Sequence, residues 1–205
     1  MSHNTDEGKA KALNTFFTSV FTDEDTSNIP SLNARLNDSY LVECATTEEE
    51  VLKKLVSLDT SKCPGADNIH PRVLFELRHE ITPSLTRLFN DSLKSGILPD
   101  EWKIAKVVAL HKKGEKSNPG NYRPISLTSV CCKILESILK SAISKHLVDN
   151  ALICSGQHGF VEKKNCVTNL LESLNDWTKV LDSGGSVDVI RLDFAKPLTR
   201  SDTVT

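Results

Sequence analysis

The chain has 205 residues, 39% of them hydrophobic and 25% charged, with a formal net charge of −2, the composition of an ordinary globular chain of one domain or one and a half. No apolar run reaches the roughly eighteen residues of a membrane-spanning helix, and the first residues lack the basic and apolar blocks of a signal peptide. Six cysteines without a small secreted frame point to reduced thiols inside a cell, in cytoplasm or nucleus.

Leu13, Phe16, Phe17, Val20 and Phe21 follow the i, i+3, i+4, i+7, i+8 stripe of an amphipathic helix. Residues 22–40 are polar and contain Pro30, so residues 1–45 read as an N-terminal helix and linker. Thr47 and Glu50 have the spacing of a capping box, which opens a helix whose face is Val51, Leu52, Leu55 and Leu58. Pro71 suits the first position of a helix bearing Val73, Leu74 and Leu77. Pro83 is expected to break that pattern, with a second segment (Leu85, Leu88, Phe89, Leu93) closing at Gly96.

The middle of the chain changes character. Ile104 to Leu110 is short and β-branched and reads as a strand, with Arg123 to Leu127 as its antiparallel partner across a basic turn. Val130, Ile134, Leu135, Ile138, Leu139 and Leu147 mark a long helix. A Gly-containing loop at 155–159 leads into another, through Val167, Leu170, Leu171, Leu174, Trp177 and Leu181. These two helices are expected to bury their stripes against each other and the hairpin. After a turn at 182–186, Val187 to Phe194 reads as a buried strand that delivers Asp193. Helices and strands alternate without internal repeats, so the class is α/β or α+β, helix-rich.

Charge is laid out unevenly. Residues 1–50 carry ten acids against Lys9, Lys11 and Arg35, whereas residues 103–123 carry Lys103, Lys106, Lys112, Lys113, Lys116 and Arg123 against Glu115 alone. A local basic stripe on a nearly neutral chain fits phosphate contact along one groove, and also fits a solvated loop.

Several stretches combine into a specific pattern: Ser61-Lys62-Cys63-Pro64-Gly65-Ala66-Asp67-Asn68-Ile69, Trp102 leading into Lys106-Val107-Val108-Ala109-Leu110-His111-Lys112-Lys113-Gly114, Asn121-Tyr122-Arg123-Pro124-Ile125-Ser126-Leu127, Gln157-His158-Gly159-Phe160, and Leu192-Asp193-Phe194-Ala195-Lys196. Their order and spacing resemble the reverse transcriptases of non-LTR retrotransposons, in particular jockey- and CR1-like LINE elements, from about Ala10 to Lys196. The resemblance implies an RNA-directed DNA polymerase, a nucleotidyltransferase of right-hand architecture. Residues 46–165 would be its fingers and 166–196 the start of an incomplete palm with the first carboxylate motif. Asp193 would be catalytic and hold Mg2+, with the backbone carbonyl of Phe194 facing a metal; hard cations favour such oxygen ligands. Arg123 would meet the incoming triphosphate or the template backbone, for which a planar guanidinium is apt. Lys106, Lys112 and Lys113 would be fingers residues, and they read equally as solvated turn lysines. Gln157, Gly159 and Phe160 would lie beside template and nucleotide, and they read equally as a tight turn with a packed Phe. The implied partners are an RNA template or RNA/DNA hybrid and a dNTP, with no membrane.

The departures are as specific as the matches. The family continues as Asp-Phe-x-Lys-Ala-Phe-Asp, whereas Asp193-Phe194-Ala195-Lys196 is followed by Pro197, Leu198 and Thr199. Residues 197–205 have no family likeness and no Asp-Asp dipeptide occurs, although two-metal chemistry needs carboxylates converging on cations about 4 Å apart. The expectation is a reverse transcriptase fragment that is inactive alone and binds nucleic acid weakly and without sequence preference. The alternative is a non-catalytic RNA- or protein-binding remnant of a transposon. The strand carrying Asp193 is expected to be the least secure element, since its family partners come from downstream sequence. Cys154, His158 and Cys166 lack a Cys-x-x-Cys pair and an evident fourth ligand, which argues against zinc.

Overall fold

The computed structural model describes residues 5–19, 40–41 and 43–192. They divide into two compact units, the first running to Ile143 and the second from Ser144 onward.

In the first unit, α1 (Asp6–Thr18) starts where the Thr5 hydroxyl accepts the N–H of Gly8 at 3.1 Å, and it buries none of its residues. Val20, Phe21 and the linker at 22–39 lie outside the described residues. The expected capping box is formed. Thr47 accepts the N–H of Glu50 and the Glu50 carboxylate accepts the N–H of Thr47, each at 3.3 Å, which opens α2 (Glu48–Val56). Pro71 takes the first position of α3 (Pro71–Glu76), where its missing N–H has no intrahelical partner to lose.

The expected break at Pro83 does not occur there. It falls at Leu77, which ends α3 and begins α4 (Arg78–Ser95), and Pro83 sits inside α4. An interior proline costs about 3 kcal/mol through a lost hydrogen bond and a clash with the preceding turn. Two threonine hydroxyls bond back to carbonyls beside it, Thr82 to Arg78 and Thr86 to Thr82. The apolar face of α4, Leu85 and Phe89 in the core with Ile81 and Leu93 against it, supplies the burial that offsets the cost. Gly96 closes α4 as expected, at φ 70°.

The core lies between helices. Val51 and Leu55 of α2, Leu85 and Phe89 of α4, Trp102, and Val130, Cys131, Cys132, Ile134, Leu135 and Ile138 of α5 (Val130–Asp149) belong to one buried cluster. Phe89 is fully buried and meets the ring of Trp102 edge-on at 5.7 Å. The Asn90 side chain clips the segment before α2 to α4, accepting the Thr46 N–H at 2.9 Å and donating to the Thr46 carbonyl at 3.0 Å. Lys54 of α2 donates to the Ser137 hydroxyl of α5 at 2.7 Å.

One antiparallel hairpin completes this unit: β1 (Lys106–His111) pairs with β2 (Tyr122–Leu127), in the register Lys106 to Leu127 and His111 to Tyr122. The loop at 61–69 packs where β2 passes into α5. A Cβ added to Gly65 would lie 2.3 Å from the Thr128 carbonyl oxygen and 2.8 Å from the Ser129 nitrogen, so only glycine permits this backbone contact.

The second unit holds the last turns of α5, the loop at 150–165 and α6 (Cys166–Asp182). Asn165 caps α6 by accepting the N–H groups of Val167 and Thr168. The expected burial of the α6 stripe is overturned. No residue of α6 is buried, and Val167, Leu170, Leu171, Leu174 and Leu181 are exposed. Nor do residues 187–192 form the expected strand; they are irregular, with Ile190 and Leu192 at 84% and 90% exposure. A strand needs a ladder for its backbone groups, and among the described residues the only sheet is β1 with β2. The described chain is therefore helix-rich with one small sheet, and none of its helices is long and apolar enough to cross a membrane.

Replacing Gly65 with Ala is expected to destabilise the first unit by about 1–3 kcal/mol, the range for overpacking against a neighbour that cannot yield. Thermal melts of the purified variant measure it. Burial raises the thiols of Cys131 and Cys132 to about 11, with Asp67 and Glu136 respectively adding to the effect. Their thiolates are thus scarce at mildly alkaline pH. In timed alkylation followed by peptide mapping, the exposed Cys63, Cys154 and Cys166 should label first, and Cys131 and Cys132 only on unfolding.

Candidate nucleic-acid interface

Side chains alternate along a strand, so the register assigns each hairpin residue to a face. Lys106, Val108 and Leu110 of β1 share one face with Arg123, Ile125 and Leu127 of β2; His111 and Tyr122 stand together on the other. Lys106 and Arg123 thus lie at opposite ends of one surface, with exposed Val108, Leu110 and Ile125 between them. The turn joining the strands carries Lys112, Lys113 and Lys116, all exposed.

None of these five cations has an ion-pair partner among the described residues. Lys103, just before the hairpin, is different: it binds Asp100 at 2.8 Å, and that contact holds the Asp100 carboxyl below the usual carboxylate range. Glu115, the one acid in the turn, is engaged by the Ser117 hydroxyl at 3.4 Å. Uncompensated charge is therefore concentrated on the turn and on the Lys106–Arg123 face, where a polyanion meets cations it need not strip from a carboxylate.

Gln157, Gly159 and Phe160 belong to the second unit. The Gln157 side chain donates to the Gly159 carbonyl at 2.9 Å, closing a tight turn. His158 between them is buried, its Nδ1 3.0 Å from the Thr168 hydroxyl and its Nε2 2.5 Å from the Glu172 carboxylate, both on α6. The ring therefore ties the turn to the helix and has no nitrogen left for a metal. Phe160 follows at φ 61° and fully exposed. Within the second unit the Phe160 ring is not buried.

Asp193 and Phe194 lie outside the described residues. Among the described residues, no three His, Cys, Asp or Glu side chains are grouped to hold a metal ion. The zinc alternative through Cys154, His158 and Cys166 has no support.

The chain is related to the RNA-directed DNA polymerases of non-LTR retrotransposons, matching one stretch of each. It is 33% identical over 96 residues to the RNA-directed DNA polymerase from mobile element jockey of Drosophila melanogaster, covering 46% of this chain and 10% of that protein. It is 25% identical over 153 residues to the "probable RNA-directed DNA polymerase from transposon BS" of the same species, covering 74% of this chain and 17% of that protein. It is 31% identical over 103 residues to the retrovirus-related Pol polyprotein from type-1 retrotransposable element R1 of Bradysia coprophila, covering 49% and 10%. The chain thus spans about a tenth to a sixth of the length of these relatives. No protein-family profile matches it.

Sequence reasoning considered His158 only as a zinc ligand and missed its role as an anchor. The available signal was a His in a turn followed by a Thr and a Glu one helical turn apart, Thr168 and Glu172. Replacing His158 with Ala removes the bonds that tie the turn to Thr168 and Glu172 and is expected to loosen the turn from α6. Hydrogen exchange should quicken for amides at 156–168 while those of α4 keep wild-type rates.

Proposed function

We propose that this chain is the fingers-like portion, and the start of the palm, of a non-LTR retrotransposon reverse transcriptase, and that its hairpin engages the phosphate backbone of an RNA template or RNA/DNA hybrid in an intracellular setting. The observation that carries this is the set of cations Lys106, Lys112, Lys113, Lys116 and Arg123 on one hairpin, exposed and without ion pairs among the described residues, in a chain whose relatives are named as RNA-directed DNA polymerases. Arg123 offers a planar guanidinium to phosphate oxygens, and Pro124 beside it fixes the backbone at the start of β2. The exposed Phe160 ring offers a stacking surface for a base or sugar.

Polymerase chemistry in such enzymes generally uses divalent metal ions. Magnesium would be held through Asp193 and the Phe194 carbonyl, oxygen ligands suited to a hard cation. The described residues hold no group of three His, Cys, Asp or Glu side chains placed for a metal ion, and the role assigned to them here is binding and positioning. A polypeptide of these 205 residues should bind nucleic acid and fail to extend a primer, because one carboxylate cannot align and neutralise both oxygens of the displacement.

Two measurements test this. Binding of RNA should weaken steeply with salt, and replacing Lys112, Lys113 and Arg123 together with Ala should flatten the slope of log affinity against log salt by about three counterions at most. An unchanged slope would return the stripe to a solvated loop. In primer extension with magnesium or manganese, no templated product is expected; incorporation abolished by Asp193→Asn would disprove the inactive reading.

A further inference from the structure

The turn between β1 and β2 is held in an unusual way. Three consecutive carbonyl oxygens, those of Gly114, Glu115 and Lys116, each meet a different side chain from the strand ends. His111 Nε2 lies 3.0 Å from the Gly114 oxygen. The Asn121 amide donates to the Glu115 oxygen at 2.9 Å, and the Tyr122 hydroxyl donates to the Lys116 oxygen at 2.9 Å. The His111 and Tyr122 rings brace each other edge-on across the register, 5.2 Å apart. The Lys112 N–H donates to the Asn121 carbonyl at 2.8 Å, extending the ladder by one bond. Gly114 stands at φ 79°, and a Cβ there would lie 2.6 Å from the Asn121 amide nitrogen, so the turn is built around that side chain.

This geometry bears on anion binding twice over. Free carbonyl oxygens in series present the negative ends of their dipoles to an incoming phosphate, and here each is already bonded to a donor. A long lysine-bearing turn would also lose conformational freedom on binding, and a turn held by three side chains has already lost it. Lys112, Lys113 and Lys116 remain exposed and without ion pairs among the described residues.

We propose that His111, Asn121 and Tyr122 are positioning residues that preform the 112–121 turn as a phosphate-binding loop for the nucleic-acid backbone. The inference rests on the nucleic-acid role proposed above, and adds that shape, not only charge, sets the affinity. Asn121 and Tyr122 thereby acquire a task separate from that of Arg123, their neighbour in sequence.

The test is the affinity of the full chain for a short RNA/DNA hybrid by fluorescence anisotropy over a series of salt concentrations, with a melting curve for every variant. Tyr122→Phe keeps the ring against His111 and removes only the hydroxyl. It and Asn121→Ala should each weaken binding by about three- to tenfold at every salt concentration, with slopes parallel to wild type. Lys112→Ala and Lys113→Ala should instead each lower the slope by about one. His111→Gln, which retains a donor, should bind more tightly than His111→Ala. Wild-type affinity for Tyr122→Phe and Asn121→Ala beside weakened lysine variants overturns the positioning role and leaves the nucleic-acid role standing. Wild-type affinity for the lysine variants overturns the nucleic-acid role itself. A melting temperature that falls in step with affinity in Tyr122→Phe assigns the hydroxyl to stability alone and also overturns the proposal.

Discussion

Both feet of the hairpin stand in the hydrophobic core, and the rest of the first unit depends on that constraint. The chain enters β1 from Trp102, whose ring is locked edge-on against the fully buried Phe89. It leaves β2 through Thr128 and Ser129 into Val130, the first buried residue of α5. Gly65 pins the exit by backbone contact at Thr128. A two-stranded hairpin alone is marginal in water. Anchored at both ends, it can spend its own surface on exposed cations rather than on self-burial. The helices α2, α4 and α5 therefore serve the hairpin: their burial fixes where its ends emerge, and the ends fix the register that sets Lys106 and Arg123 on one face.

What the sequence made legible was whatever is decided within a few residues. Thr47 and Glu50 form the capping box because both partners lie in one turn. Gly96 closes α4 because only a left-handed residue can do so there cheaply. The hairpin followed from one short β-branched run and the expected partner at 123–127 across a basic turn. Pro83 failed as a breaker because its cost is local while its compensation, the burial of Leu85 and Phe89, comes from α2 and α5 across the core. Residues 187–192 failed as a strand for the converse reason: alternation specifies a strand's faces but not a partner for its backbone. The stripe of α6 is more sharply one-sided than that of α5, yet α5 buries its own and α6 does not. Periodicity states which face a helix would bury and is silent on whether anything covers it.

The candidate site divides along the same line. Its charges were readable, since lysines and arginines can be counted, and Lys106, Lys112, Lys113 and Arg123 are exposed, as both the phosphate-contact and the solvated-loop readings require. The organisation of the turn was not readable, because Asn121 and Tyr122 act on carbonyls six residues away in each case. No side-chain pattern announces a bond to a backbone oxygen across a loop. His158 is the same kind of residue in the second unit, bonded to Thr168 and Glu172 at separations set by the turn, not by helix periodicity alone.

Some helical cations pair along their own helix, others such as Lys11, Lys53, Lys94, Lys133 and Lys140 do not, and among the described residues none of the five on the hairpin does. On helices, spacing of three or four residues puts an acid beside a base, and Lys9 with Asp6, Arg72 with Glu76, Lys145 with Asp149 and Lys179 with Asp176 all pair in this way. Such exposed pairs contribute little to stability, but each cancels a cation at long range. A strand offers no i, i+4 neighbour, and the cross-strand partners of Lys106 and Arg123 are Leu127 and Leu110. Their charge is thus left standing, beside apolar surface that screens less than water does. Salt at physiological strength confines its reach to about 8 Å, so the hairpin can hold a phosphate at its own surface but cannot draw one from far across the molecule. That short range is what makes the shape of the 112–121 turn matter: when attraction acts only near contact, the groups that fix where the lysines begin also fix how many of them a single strand of phosphates can meet.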